Sequence, residues 1–249
     1  MNVFWLEQTE SDLPATDDWL SRTEAELLSA MRFPKRRTDW RLGRWTAKRA
    51  LSICLGLPLE FASAATVEVL AAPSGQPEAF IRGSPIEFRI SLSHRAGVAL
   101  CAVAQAGAAM GCDLELIEPH SDAFACDYFT AEEQRLISGL MSRDRSLVLS
   151  VLWSAKESAL KALHQGLRLD TRLLNVELEQ NAESCDSWSP LQVEYPSNTK
   201  FHGCWSRSGE IIRTIVAAAP SLHPIPLDPT SISASGTYTD VAFPREPLP

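Results

Sequence analysis

The phrase "WTAKRAL" at residues 45 to 51 returns as "WSAKESAL" at 153 to 160, with Trp45 and Trp153 standing 108 positions apart. Apolar residues in and around each copy recur at helical spacing, so each predicts an amphipathic helix with one buried face. Along the chain the patterning runs helix, strands, helix, strands, and that order turns a seven-residue echo into a constraint. The chain is expected to fold as two similar α+β lobes. The copies differ at one telling place: Arg49 stands in the first where the second has Glu157, a carboxylate between Lys156 and Lys161.

"TEAELLSAMRF" places Leu27, Leu28 and Met31 on one helical face, with Thr23 as cap and Glu26 three residues later. After Pro34 a second helix is expected from about Thr38 to Leu55, closed by Gly56. A strand near "TVEVLAA", a turn at "PSGQP", and the alternating "FRISLSHRAGVALCAVA" follow, with His94 at the turn. "GCDLELI" reads as a strand, "TAEEQRLISGLM" as a helix, and a long helix should run from about Arg145 to Gln165 and stop at Gly166. Strands near "LNVELEQ", "LQVEY" and "IRTIVAAA" complete the folded part. The domains so read are 1–110, a lobe with a basic helix; 111–219, a lobe with the acidic motifs; and 220–249, a Pro/Ser-rich mobile tail that docks locally at most.

A chain of 249 residues, 45% of them hydrophobic, buries a substantial core. The opening "MNVFWLEQTESDLP" predicts no export leader, and "GVALCAVAQAGAAMG" is too short to span a bilayer, so a cytoplasmic protein is expected. The six cysteines lack zinc spacing and read as free thiols of a reducing compartment. Net charge is −8, yet residues 32 to 49 carry Arg32, Lys35, Arg36, Arg37, Arg41, Arg44, Lys48 and Arg49 against Asp39 alone. Such a run is either a solvated helix face or an anion site. Overall acidity and only two interleaved aromatics, Trp40 and Trp45, argue against nucleic acid.

The candidate chemistry lies in the second half. On a strand, Asp113 and Glu115 share one face while Cys112, Leu114 and Leu116 share the other. Two adjacent carboxylates need a cation or open water, so the pair is either an exposed strand face or part of a metal site. Glu157 lies at the edge of its helix's packing stripe, one turn before Lys161, and by itself reads as an ordinary helix-surface ion pair. Together the residues suit one chemistry. Asp113, Glu115 and Glu157 can supply the oxygen ligands of Mg²⁺, with Lys161, His94 and the 32–49 cluster serving a diphosphate-containing anion.

"GCDLELIEP", followed some forty residues later by "WSAKESALKAL", resembles the signature pair of the 4′-phosphopantetheinyl transferases, in their larger pseudo-dimeric class of two α+β lobes. "SLSHRAG" is similar to the family's "I-S-H" loop, "SGQP" to its "G-K-P" turn, and "RRTDWRLGRWTAK" to its basic helix; the resemblance covers about residues 20 to 219. It implies Mg²⁺-dependent transfer of phosphopantetheine from coenzyme A to a serine of an acyl or peptidyl carrier protein, releasing adenosine 3′,5′-bisphosphate. By position it implies Asp113, Glu115 and Glu157 as metal ligands and Lys161 at the diphosphate; since a serine hydroxyl is a poor nucleophile near pH 7, Glu157, directly or through a metal-bound water, is the candidate base. Arg36, Arg41, Arg44, Lys48, Gly75, Gln76, Ser93 and His94 match the coenzyme A contacts.

Two departures stand out. Gln76 replaces the usual lysine of the turn, a loss that Arg36 and Arg37 could offset, and Ser91 stands where asparagine is frequent. A monomer is expected, since one chain supplies both lobes, with neither nucleic acid nor membrane as partner. The competing readings are a non-catalytic coenzyme A or carrier-binding module, a Mg²⁺-dependent nucleotide hydrolase, and a nucleic-acid binder.

Overall fold

The structure, a computed structural model, describes residues 1–165, 168–178, 188–196, 199–219 and 223–228. Strand β1 (Phe4–Thr9) leads to helix α1 (Arg22–Ser29) and the long α2 (Pro34–Leu55). The short α3 (Phe61–Ala64) follows, then β2 (Val67–Ala71), β3 (Pro77–Ile81), β4 (Ser84–Pro85), β5 (Phe88–Arg95) and β6 (Val98–Gln105). The second half comprises β7 (Met110–Leu116), α4 (Asp122–Tyr128), α5 (Ala131–Ser138) and the long α6 (Ser142–Ala162). It continues with β8 (Asn175–Leu178), β9 (Ser189–Tyr195), β10 (Thr199–Ser208), β11 (Ile211–Ala217) and β12 (Ile225–Pro226).

The α+β class expected from the pattern is what forms. One sheet has the order β12-β1-β6-β5, another β7-β11-β10-β9-β8, and β2-β3-β4 make a small third. Helix α2 packs its Ala47, Ala50, Leu51 and Ile53 against the first sheet and β2. Helix α6 packs Leu152, Ala155, Ala159 and Leu160 in the core over the sheet containing β7. The two larger sheets meet where β5 lies against β7, tied by the Cys112 N–H donating to Ser91 Oγ at 3.0 Å. Ser91 thus has a structural task that its short side chain suits.

The sequence echo corresponds to one buried device built twice. Lys48 is fully buried and pairs with Glu24 Oε2 at 2.5 Å, donating also to the carbonyls of Trp19 and Ala64. Glu24 belongs to the capping box of α1 with Ser21, and its other oxygen accepts from the Val69 N–H. In the second half Lys156 pairs with Glu133 at 2.7 Å and donates to Tyr128, Thr171 and Leu174 carbonyls. Glu133 belongs to the capping box of α5 with Thr130 and accepts from the Val176 N–H. Each lysine therefore locks a capped short helix and a strand to its long helix, with the buried charges almost fully hydrogen-bonded.

Several expectations are corrected. The cap of α1 is Ser21 with Glu24, not Thr23 with Glu26, because Glu24 alone also reaches Lys48. Helix α2 begins at Pro34, which sits in the first turn, where a missing N–H costs nothing; its end at Gly56, with φ 65°, is as expected. Helix α6 spans Ser142–Ala162 and is closed by Leu163, with His164 at φ 57°; Gly166, the expected stop, lies outside the described residues. Strands β1 and β10 were not anticipated. Of the 220–249 segment, 223–228 is described: β12 pairs in parallel with β1, and Leu227 is buried in the first core.

Candidate active site

Two neighbouring groups of side chains form around the β5–β7 seam. The first lines a cavity of about 660 Å³ between the N-terminal half of α2, the β2–β3 turn and β5. Lys35, Arg36 and Arg44 face it from α2, beside Phe33, Trp40 and one anion, Asp39; Gly75 and Pro77 border it from the turn, and Leu92 and His94 from β5. Four of the residues assigned to coenzyme A by resemblance, Arg36, Arg44, Gly75 and His94, thus share one cation-rich cavity. The Arg44 guanidinium lies 4.8 Å from the centre of the Trp40 ring, and burial lowers its pKa.

Other members of that set are elsewhere. Lys48 is enclosed with Glu24 and has no exposed surface, so it cannot reach a ligand. Arg41 pairs with Asp17 at 2.7 Å and donates to the carbonyls of Pro14 and Thr16. Arg37 donates to the Leu28 and Met31 carbonyls at the end of α1, so it is committed to capping rather than to offsetting Gln76. Gln76 accepts from Arg89 at 3.3 Å, which brings a cation to the turn from β5 instead. Periodicity could not separate these cations, since no partner lies within one helical turn of its cation.

The second group collects the acidic residues. Strand alternation sends His94 to the cavity and its neighbour Ser93 toward β7, where Ser93 Oγ donates to Asp113 Oδ1 at 2.8 Å. Asp113 is 5% exposed and also accepts from Lys161 at 2.8 Å and, through Oδ2, from Ser154 at 2.9 Å. Glu115 accepts from the indole N–H of Trp153 at 3.1 Å and lies 3.5 Å from Arg95, which itself pairs with Glu118 at 2.7 Å. The Glu157 side chain makes no hydrogen bond or salt bridge among the described residues, and the alternative reading of a surface pair with Lys161 does not hold, because Lys161 turns to Asp113.

Crowding is visible in the acid–base properties. Burial, then the charge of Asp113, pushes the Glu115 carboxyl up to about 7, against the pull of Arg95 and Trp153; Glu157 adds to the rise. Burial and Asp113 likewise raise Glu157. Burial opposes the Lys161 cation, but Asp113, Cys112 and Glu157 outweigh it and hold its pKa above the ordinary value. By contrast the thiol of Cys112, pushed up to about 11 by burial, is inert at neutral pH. Cys54, Cys101, Cys126 and Cys204 are free as well.

Helix α6 can bring Glu157 and Lys161 to this place only because β7 carries Gly111. A Cβ there would lie 2.0 Å from the Ser158 carbonyl oxygen, 2.9 Å from the Ala162 nitrogen and 3.0 Å from Lys161 Cβ. The sequence pointed to Asp113, Glu115, Glu157 and Lys161, but not to Arg95, Ser154, Ser158 or Thr214. For the two serines the available signal was their i, i+4 spacing astride Glu157.

The donor set suits a hard divalent cation: oxygen ligands only, and three crowded carboxyls, two of them held above the ordinary carboxylate range by burial and by the charge of Asp113, whose repulsion such an ion would relieve. Among the described residues no three His, Cys, Asp or Glu side chains are already gathered as a ligand cluster. Asp113 is instead committed to Lys161, Ser93 and Ser154, and Glu115 to Trp153. No described helix is long and apolar enough to cross a membrane.

The family model of the 4′-phosphopantetheinyl transferase superfamily matches residues 109–210 of this chain. The chain is 20% identical to a holo-(acyl-carrier-protein) synthase from Bacillus anthracis str. Ames, solved in complex with CoA (3′,5′-ADP); the likeness covers 41% of this chain and 92% of that one, with a TM-score of 0.35. For the Helicobacter pylori holo-[acyl-carrier-protein] synthase, solved with coenzyme A, the identity is 16%, the coverage 42% and 99%, and the TM-score 0.29. No curated protein matches the chain.

Proposed function

We propose, from the premise that residues 109–210 belong to the 4′-phosphopantetheinyl transferase superfamily, that this chain transfers the 4′-phosphopantetheine group of coenzyme A to a serine hydroxyl of an acyl or peptidyl carrier protein, leaving adenosine 3′,5′-bisphosphate. The observation that carries the reading is Glu157: a half-buried carboxylate with no hydrogen-bond partner of its own, beside Asp113 and Lys161, on the seam that also borders the cation-rich cavity.

The roles follow from charge and position. Arg36, Arg44, Lys35 and His94 supply cations and donors for the phosphates of coenzyme A, and Trp40 and Phe33 an apolar wall. Asp113, Glu115 and Glu157 would hold Mg²⁺, whose chemistry when bound is to neutralise charge on the diphosphate. Lys161 trades Asp113 for the diphosphate and stabilises the leaving bisphosphate. Glu157 accepts the proton of the attacking serine, a task for which its raised pKa fits it better than an exposed carboxylate. All these residues come from one chain, so a monomer suffices, and the basic face of α2 suits an acidic carrier.

The test is incubation with coenzyme A, Mg²⁺ and a panel of apo carrier proteins, reading the mass of the carrier. Transfer by the wild type and its loss in a folded Glu157→Gln variant are expected. Consumption of coenzyme A with no carrier present would replace this reading with hydrolysis.

A further inference from the structure

Beneath Asp113 lies a chain of hydroxyls. Ser154 and Ser158 on α6 and Thr214 on β11 are essentially inaccessible to solvent. Thr214 stands directly across from Asp113 in the β11–β7 register. Ser154 Oγ is 2.9 Å from Asp113 Oδ2 and 2.9 Å from Thr214 Oγ1, and Thr214 Oγ1 is 2.7 Å from Ser158 Oγ.

Asp113 sets the direction in which this chain runs. Asp113, ion-paired to Lys161 at 2.8 Å, is a carboxylate and can only accept, so Ser154 donates to it. A hydroxyl has one proton, so the arrangement that makes both hydroxyl–hydroxyl contacts, at 2.9 and 2.7 Å, has Thr214 donating to Ser154 and Ser158 to Thr214. The Thr214 carbonyl, 3.3 Å from Ser158, is left as the poorer contact.

We infer that Thr214, acting through Ser154, is a positioning residue for the metal site: it fixes the proton of Ser154 on Asp113 Oδ2 and thereby turns Oδ1 to the side of Ser93, Lys161 and the reacting groups. Without the Thr214 hydroxyl, Ser154 is free to turn its proton away, and Asp113 is then held through Oδ1 alone, by Ser93 and Lys161. Outer partners of this kind typically change metal affinity or activity by about ten- to a hundredfold. This inference rests on the reading of Asp113 as a ligand.

Thr214→Val removes the hydroxyl at nearly constant volume, and Thr214→Ser keeps it. Mn²⁺ binding, followed by electron paramagnetic resonance of the free ion on the full chain without coenzyme A, is expected to weaken about tenfold or more in Thr214→Val and to stay near wild type in Thr214→Ser. Should Thr214→Val fail to fold, Ser158→Ala cuts the same chain one step further back and is expected to weaken binding in the same direction. Wild-type affinity in a folded Thr214→Val, or in Ser158→Ala, overturns the inference while leaving the metal site standing. A wild-type protein that binds no Mn²⁺ overturns the carboxylate reading and this inference together.

Discussion

Gly111 sets how closely the helix carrying Glu157 approaches the strand carrying Asp113. In Gly111→Ala the new methyl carbon would lie 2.0 Å from the Ser158 carbonyl oxygen, about 1.4 Å short of ordinary contact. That oxygen is helix backbone and cannot rotate away, so α6 must withdraw by roughly that distance. The withdrawal would stretch the Lys161 and Ser154 bonds to Asp113, now 2.8 and 2.9 Å, past hydrogen-bonding reach. Overpacking of this kind costs about 1 to 3 kcal/mol of stability, and more when the obstacle is backbone. A displacement of about 1 Å at a reacting centre costs about a hundredfold in rate. The assay is carrier modification at saturating coenzyme A, with thermal unfolding in parallel and Gly139→Ala, where the added carbon meets nothing closer than 3.6 Å, as control. A Gly111→Ala protein with wild-type melting temperature and turnover would refute the reasoning.

Lys156→Met strands the buried Glu133 carboxylate and is expected to cost about 3 to 5 kcal/mol by urea unfolding, whereas adding Glu133→Gln should recover part of the loss. In the metal-free protein Glu115 keeps its proton up to about pH 7, while in the unfolded chain it ionises near 4.5. Across that window the native state binds more protons, so stability falls as pH rises, and Glu115→Gln should flatten the fall measured in chelator. Arg36→Ala is expected to raise KM for coenzyme A with little change in kcat, and the reverse split would remove Arg36 from ground-state binding.

The α+β class and the long helices were legible because their apolar residues recur at short range. Their long-range meaning was not. In the echoed Trp-x-Ala-Lys, neither lysine shows its task in the sequence, since Glu24 and Glu133 lie on other helices and nothing within a turn betrays the pairing. For the same reason Lys48 looked like a phosphate contact. Strand β10 escaped notice because polar and apolar residues do not alternate cleanly along "TKFHGCWSRS", where Phe201 and Ser206 are its buried positions. Asp113, Glu115, Glu157 and Lys161 could be named from motif spacing, and the resemblance supplied the roles. Which oxygen of Asp113 meets which donor depends on β5 and α6, which lie on either side of it along the chain.

The return of residues 223–228 to the first sheet has an engineering consequence. Ile225 and Leu227 donate to the carbonyls of Val3 and Trp5, so β1 has partners on both edges. A shortened protein stopping at residue 219 would leave that edge bare and empty the space filled by Leu227. Excising the second half as a separate piece would do the same damage to the piece left behind. The last described stretch thus works as a clasp: it makes the two halves one unit of manufacture, and a truncated version should be judged first by whether it self-associates.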